Sequence, residues 1–320
     1  MNFQLQKYKR SVLLSRYVKL LERGELVAFP TETVYGLGAD AWNPSAIQKV
    51  FEQKGRPADN PLIVHISNRT MVDSFAQTVP PAAEKLMTHF WPGPLTLIFD
   101  KKPEVLDILT GGLDTVAIRW PRHPLSQELI AQAGALVAPS ANSSGKPSPT
   151  KPKHVKEDFG KKFPVIAAGE TDIGLESTVL DVSSEPFRIY RPGAISAEQI
   201  SKVAGKKVER ASQPSANTEA RSPGTKYTHY SPDATVQWLK DDLDSQETLY
   251  LLHTQYDNLK AENIVHYKGN FREMAHELFD RFRQADFHGF HTVLIEPFSA
   301  EQLQKPLVRA LQNRISKAVS

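Results

Sequence analysis

Between Leu26 and Ile66 the chain reads LVAFPTETVYGLGADAWNPSAIQKVFEQKGRPADNPLIVHI, and this stretch constrains the architecture more than any other. It opens with a short apolar run closed by Pro30, the pattern of a buried strand ending at a turn. A hydroxyl-rich, glycine-punctuated segment follows, read as a turn: Thr31, Glu32, Thr33, Tyr35, Gly36 and Gly38. Asn43-Pro44 then supplies a helix start, with Asn as N-cap and Pro at the first helical position. Gly55 supplies the stop, flanked by Lys54 and Arg56. A second apolar run, Leu62 to Ile66, returns as a strand with His65 inside it. Two strands around one helix bring the Thr-rich turn and the Lys-x-Arg pair to neighbouring loop ends, where α/β sheets bind ligands. The stretch predicts a substrate pocket.

Periodicity extends the same alternation along the chain. Helices are predicted over 9–23, 69–90 (interrupted by Pro80-Pro81), 123–134, 152–162 and 196–205. Strands are predicted in 91–100 after a WPGP turn, and over 114–121, 136–140, 176–182 and 188–193. The result is an α/β fold, with the parallel or mixed character of its sheet left open by pattern alone. Residues 211–233 are rich in Ser, Pro, Ala and Thr without apolar periodicity, so they read as a linker. Beyond it, TVQWL, TLYLLH and HTVLIE read as strands, and residues 270–289 and 306–319 as amphipathic helices. The expected organisation is a first domain over 1–210, the linker at 211–233, and a small α/β domain over 234–320.

A chain of 320 residues suits about two domains at roughly 100–200 residues each. Its formal charge of +3 is modest, so a dedicated nucleic-acid surface is not expected. It has no cysteine, which excludes disulfides, thiolate metal sites and thiol catalysis. The N-terminal segment lacks the apolar core of a signal peptide, and no run reaches the roughly 18 apolar residues of a membrane span. A soluble, cytoplasmic protein is the expectation.

Four clusters of polar side chains fall at predicted strand ends and turns. They are Thr31/Thr33 with Tyr35; Lys54, Arg56 and Asn60; Ser140, Asn142, Ser143, Ser144, Gly145, Ser148 and Thr150; and Glu176-Ser177-Thr178 with Arg191. His65 and Arg119 mark further strand ends. Taken singly, each has an ordinary role: turn capping for the threonines and serines, dipole pairing for Lys54 and Arg56, core packing for His65. Together they supply cations, hydroxyls and amides without paired carboxylates or metal-ligand spacing, the composition of an anion site. GxSxG, HExxH and the Walker A pattern are absent, so a nucleotide would be held without a P-loop.

In this order, PTETVYGLGADA, KGRPADNPLIVHI, WPGPLTLI, TVAIRWPRHP, APSANSSGKPSPT, ESTVLDV and YRPG resemble the YrdC-like threonylcarbamoyl-AMP synthases. SPGTKYTHYSP and the trailing domain are similar to the longer, two-domain members. The resemblance implies a YrdC-like twisted, mostly mixed sheet with flanking helices and a concave basic pocket, plus a smaller Rossmann-like α/β C-terminal domain. It implies synthesis of L-threonylcarbamoyladenylate and pyrophosphate from L-threonine, bicarbonate or CO2, and ATP, for N6-threonylcarbamoylation of adenosine 37 in tRNAs reading ANN codons. By it, Thr33, His65, Arg119 and Ser177 hold threonine, with Arg119 forking the carboxylate. Arg56, Asn60, Thr115, Ser140, Asn142, Ser148, Thr150, Arg191 and Tyr230 hold ATP, and Lys54 and Arg56 act on its phosphates as the catalytic cations. Mg2+ rides on ATP without protein ligands. The linker folds over the pocket as a lid, although Thr225 and Thr228 stand where relatives often have Met and Arg. A downstream tRNA-modifying transferase complex takes the product, with a weak tRNA or double-stranded RNA contact possible. Two other readings stand beside this one: an RNA-binding module without chemistry, and a carbamoyl transferase of the hydrogenase-maturation type, whose zinc fingers this cysteine-free chain lacks.

Overall fold

The computed structural model describes residues 3–211, 230–240, 246–254 and 262–319, with side chains from Val12 onward. Helix α1 (Phe3–Glu22) leads into β1 (Val27–Phe29), which pairs antiparallel with β2 (Gly36–Asp40). Next come α2 (Pro44–Lys54), β3 (Ile63–His65), α3 (Pro81–Phe90), β4 (Leu95–Asp100), α4 (Asp107–Thr110) and β5 (Thr115–Arg119). They are followed by α5 (Pro124–Ala133), β6 (Leu136–Val137), α6 (Pro152–Phe159), β7 (Thr178–Asp181), β8 (Phe187–Arg191), α7 (Ala197–Ala204) and β9 (Val208–Arg210). These strands form one mixed nine-stranded sheet in the order β1-β2-β6-β3-β5-β4-β7-β8-β9.

Local signals account for many of the boundaries. Asn43 caps α2 by accepting from the Ala46 amide at 3.1 Å, and Gly55 closes it in the left-handed region at φ 60°. Ser196 and Gln199 make a reciprocal capping box on α7. Gly160, at φ 94°, ends α6 one residue after Phe159, short of the expected 162.

The predicted turn around Gly36 and Gly38 is instead strand β2. These glycines serve close packing. A Cβ on Gly38 would lie 2.8 Å from the Phe29 ring, and one on Gly36 would lie 3.1 Å from the Ala138 Cβ. The strand entering α2 is therefore β2, and β6 lies between β2 and β3 as an antiparallel neighbour of both. Residues 69–90 also differ from expectation, dividing into a 3-10 turn at Arg69–Ser74 and α3. Strand β6 spans only two residues, and α4 and β9 were not anticipated.

The C-terminal part contains β10 (Thr235–Trp238), β11 (Thr248–Leu252), β12 (Ile264–His266), α8 (Phe271–His288), β13 (Thr292–Ile295) and α9 (Pro306–Ala318). Its four strands are all parallel, in the order β10-β13-β11-β12. The edge strand β12 was not foreseen from sequence. The hydrophobic core of this part also takes in Val34, Leu175 and Tyr230, so the two sheets are joined by apolar packing. Gly174, at φ 82°, makes the approach possible, because a Cβ there would sit 2.4 Å from the Ala275 carbonyl oxygen of α8. The lid proposed for the linker falls mainly on 212–229, including Thr225, Thr228 and His229, which lie outside the described residues.

Candidate active site

Four neighbouring strands present their ends to one cavity. His65 on β3 stands opposite Arg119 on β5, Arg119 opposite Thr96 on β4, and Ser177 immediately precedes β7. The cavity is open to solvent at its mouth, and about 700 Å³ of space there, solvent included, is free of protein atoms. Its wall includes Thr33, Lys54, Arg56, His65, Arg119, Ser140, Asn142, Ser148, Glu176, Ser177, Arg191 and Tyr230. Eleven of the fourteen residues assigned from the resemblance thus meet in one place, and Glu176 joins them.

A chain of hydroxyls orders one wall. Arg119 Nη1 donates to Thr33 Oγ1 at 2.9 Å, and Thr33 and Thr31 share a 2.8 Å hydroxyl contact. Because Thr31 Oγ1 donates to the Val34 carbonyl at 2.7 Å, the Thr33 hydroxyl must supply the proton between the two threonines. Arg119 is also tied to Glu32 Oε1 at 2.7 Å and to the Gly93 carbonyl at 3.3 Å. The fork that the resemblance assigns to the threonine carboxylate is therefore partly engaged by the protein: three of the five guanidinium N–H groups have partners among the described residues. His65 is neutral. Burial first, and then the Arg119 charge, push its pKa down to about 3. Its Nδ1 donates to the Ile63 carbonyl at 3.1 Å, which leaves Nε2 as an acceptor.

The cations have firm supports. Lys54 Nζ donates to the Ser140 and Asn142 carbonyls at 2.6 and 2.7 Å, tying α2 to the loop after β6. Burial, then Arg56, lower its pKa to about 7, with Asp158 partly offsetting them. Arg56 donates to the Asn60 carbonyl at 3.2 Å. Arg191 donates from Nε to the Ser177 carbonyl and from Nη2 to Ser177 Oγ, both at 3.1 Å, and burial lowers its pKa.

Asn60, Thr115 and Thr150 do not line the cavity. Asn60 and Thr150 are buried beside it. The Asn60 side-chain amide, Asn142 Oδ1 and Thr150 Oγ1 lack hydrogen-bond partners among the described residues. Each such orphaned group costs about 1–3 kcal/mol, the pattern expected where a polar ligand completes a site. Thr115 shares a strand face with Arg119 but begins β5, whereas Arg119 ends it. Tyr230 is buried with φ 70° and stacks on Phe279 of α8 at 5.2 Å.

The outer face of the site loop is held by α8. Arg283 pairs with both Asp158 oxygens at 2.9 and 2.8 Å and reaches the Pro147 carbonyl. Asp280 accepts from Lys151 at 2.8 Å and pairs with His154 at 2.9 Å. Sequence reasoning missed the Glu32 partner of Arg119, and it missed Arg314, which donates to Glu176 at 2.6 Å. A lone carboxylate in the Thr-rich segment and an arginine beside the apolar stripe of α9 were the available signals.

A mixed α/β sheet ending in a cation- and hydroxyl-lined pocket, joined to a parallel-sheet unit, defines the class. A family model for Sua5, YciO and YrdC, described as telomere recombination, matches residues 19–193. A second, described as threonylcarbamoyl-AMP synthase, C-terminal domain, matches residues 195–320. The chain belongs to the Sua5/YciO/YrdC family, in its two-part threonylcarbamoyl-AMP synthase branch. It is 41% identical over 317 residues to a threonylcarbamoyl-AMP synthase from Pyrococcus abyssi, covering 93% of this chain and 91% of that one. It is 49% identical over 226 residues to one from Bacillus subtilis, covering 70% and 65%. The crystal structure of P. abyssi Sua5 complexed with L-threonine superposes with a TM-score of 0.86 at 38% identity, covering 98% of this chain and 94% of that one.

Proposed function

We propose that the cavity binds L-threonine and ATP together and that the residues around it run the synthesis of L-threonylcarbamoyladenylate. The chain is a threonylcarbamoyl-AMP synthase, a nucleotidyl-transferring enzyme, by family membership over nearly its whole length. One observation carries the assignment of residues: a single pocket combines three buried cations, Lys54, Arg56 and Arg191, with Thr33, a neutral His65 and Arg119.

Threonine's amine and CO2, drawn from bicarbonate with loss of water, form a carbamate. A carbamate oxygen attacks the α-phosphorus as the bond to pyrophosphate breaks, so no covalent enzyme intermediate is needed. Arg119, through its remaining N–H groups, faces the threonine carboxylate. Thr33, His65 Nε2 and Ser177 orient the amine and hydroxyl. Lys54, Arg56 and Arg191 offset the phosphate charge. Holding the reactants in one enclosed site contributes on the order of 7–11 kcal/mol in favourable intramolecular cases. Glu32 is engaged by Arg119 and by the Arg122 amide, and Glu176 by Ser148 and Arg314. Mg2+ would therefore enter on the triphosphate, where it neutralises charge. Asn60, Thr115, Thr150 and Tyr230 complete the nucleotide site in this reading. The linker acts as its lid, and a tRNA-modifying transferase consumes the adenylate.

No helix among the described residues is long and apolar enough to cross a membrane. The test is incubation of the protein with ATP, Mg2+, bicarbonate and L-threonine, following pyrophosphate and product mass. Threonine-dependent pyrophosphate with an adenylate of the expected mass supports the reading. ATP binding without product refutes it.

A further inference from the structure

Arg314, on α9, is the largest fully buried side chain among the described residues. It reaches back 138 positions, its Nε donating to Glu176 Oε2 at 2.6 Å. The Nη groups reach the Pro192 carbonyl at 3.0 Å and the Glu176 carbonyl at 3.4 Å. The guanidinium carbon lies 5.6 Å from the centroid of the Tyr230 ring. On the cavity side, Glu176 Oε1 accepts from Ser148 Oγ at 2.6 Å. Glu176, Ser148 and Tyr230 line the pocket, and Arg314 stands behind them.

Stability alone does not account for an arginine here, because well-packed apolar residues often replace a buried ion pair at no cost. The surroundings point to the site. Glu176 faces Arg314 behind and Arg191 in the pocket wall, and Lys317 of α9 is also within electrostatic reach of all three. Without Arg314, the Glu176 charge would fall on Arg191 and weaken what that cation offers an anion. Ser148 and Tyr230 would lose their common anchor. Arg314 makes no hydrogen bond to Thr33, His65 or Arg119.

We propose that Arg314 is a positioning residue for the nucleotide. It holds Glu176 away from Arg191 and fixes Ser148 and Tyr230, so that α9 acts on the nucleotide through this side chain, while α8 braces the outer face of the site loop. This rests on the reading of the pocket as the ATP site.

The experiment uses the full chain and measures KM for ATP and for threonine separately in wild type, Arg314→Met, Arg314→Lys, Ser148→Ala and the Met/Ala double variant. Arg314→Met raises KM for ATP about tenfold or more, while KM for threonine stays within about twofold. Arg314→Lys restores most of the loss, leaving about a threefold rise for ATP alone, because it keeps the charge without the arginine's spread of donors. The double variant loses no more than the worse single one, since both act through the same carboxylate. Equal rises in both KM values, or losses that multiply in the double variant, overturn the proposal. If Arg314→Met does not fold, Arg314→Lys decides, and an unchanged KM for ATP in it overturns the proposal. Wild type is the control: no threonine-dependent pyrophosphate refutes the ATP reading itself, whereas normal wild-type turnover with unselective variants refutes only the role of Arg314.

Discussion

Lys54 lies 4% exposed in the pocket wall, where burial and then Arg56 bring its pKa from 10.5 to about 7. A drop of that size represents roughly 5 kcal/mol at about 1.36 kcal/mol per pH unit, the ceiling on what an incoming anion can return. The sign follows from the direction. Below about pH 7 the ammonium is already charged and ATP meets a ready cation. Above that, Lys54 is neutral, its two remaining N–H groups satisfied by Ser140 and Asn142, and ATP must draw a proton from solvent. Apparent affinity then falls by up to about tenfold per pH unit, or about thirtyfold across 1.5 units. His65, with its pKa at about 3, stays neutral throughout and adds nothing. The assay is calorimetric titration with Mg-ATP from pH 7 to 9 in two buffers of different ionisation heat, a range where phosphate, with a second pKa near 6, is ionised. Proton uptake on binding should climb from about half a proton at pH 7 toward one at pH 9. A guanidinium stays charged at every pH in this range, so Lys54→Arg should abolish both the uptake and the pH dependence. Affinity independent of pH in wild type, or uptake unchanged in Lys54→Arg, would refute the reasoning.

Arg56→Ala and Arg119→Ala should each cut ATP-dependent product formation severely; near wild-type turnover in both means that the pocket is misassigned. Arg119→Ala also strands the buried Glu32 carboxylate, and chemical denaturation should register a loss of roughly 3–5 kcal/mol. Gly174→Ala puts a Cβ against the α8 backbone at positive φ and should cost roughly 3 kcal/mol in the same assay. Deleting residues 212–320 should leave a folded first part with impaired synthesis, and unchanged activity would remove the C-terminal part from the mechanism. Glu176 and Asp280 have folded pKa values below their ordinary 4.5 and 3.8. Their stabilisation is complete above those values and is lost as pH falls below them, so acid should loosen the contact between the two parts, read by thermal melting from pH 6 to 3.

Signals whose physics is local were legible along the chain. Asn43 and Gly55 bracket α2 because a cap is a hydrogen bond across three or four residues. The order of cations and hydroxyls also announced a pocket before any strand had been paired. The glycine pair at 36 and 38 misled, because a glycine needed for a turn and one needed for close packing look alike until Phe29 and Ala138 are in place.

Composition and periodicity suffice for the α/β class, most of the helices and strands, and the types of side chain gathered for an anion site. Tertiary structure decided which of them meet. Thr115 and Arg119 are equally polar and share one face of β5, yet four residues of strand separate them by about 13 Å, and only the carboxyl end meets the cavity. Glu32 finds Arg119 at a separation of 87 residues, and Glu176 finds Arg314 at 138. Burial leaves each of those charges only the partner that the packing supplies. That choice depends on sheet register and on how α8 and α9 dock, which no local pattern contains.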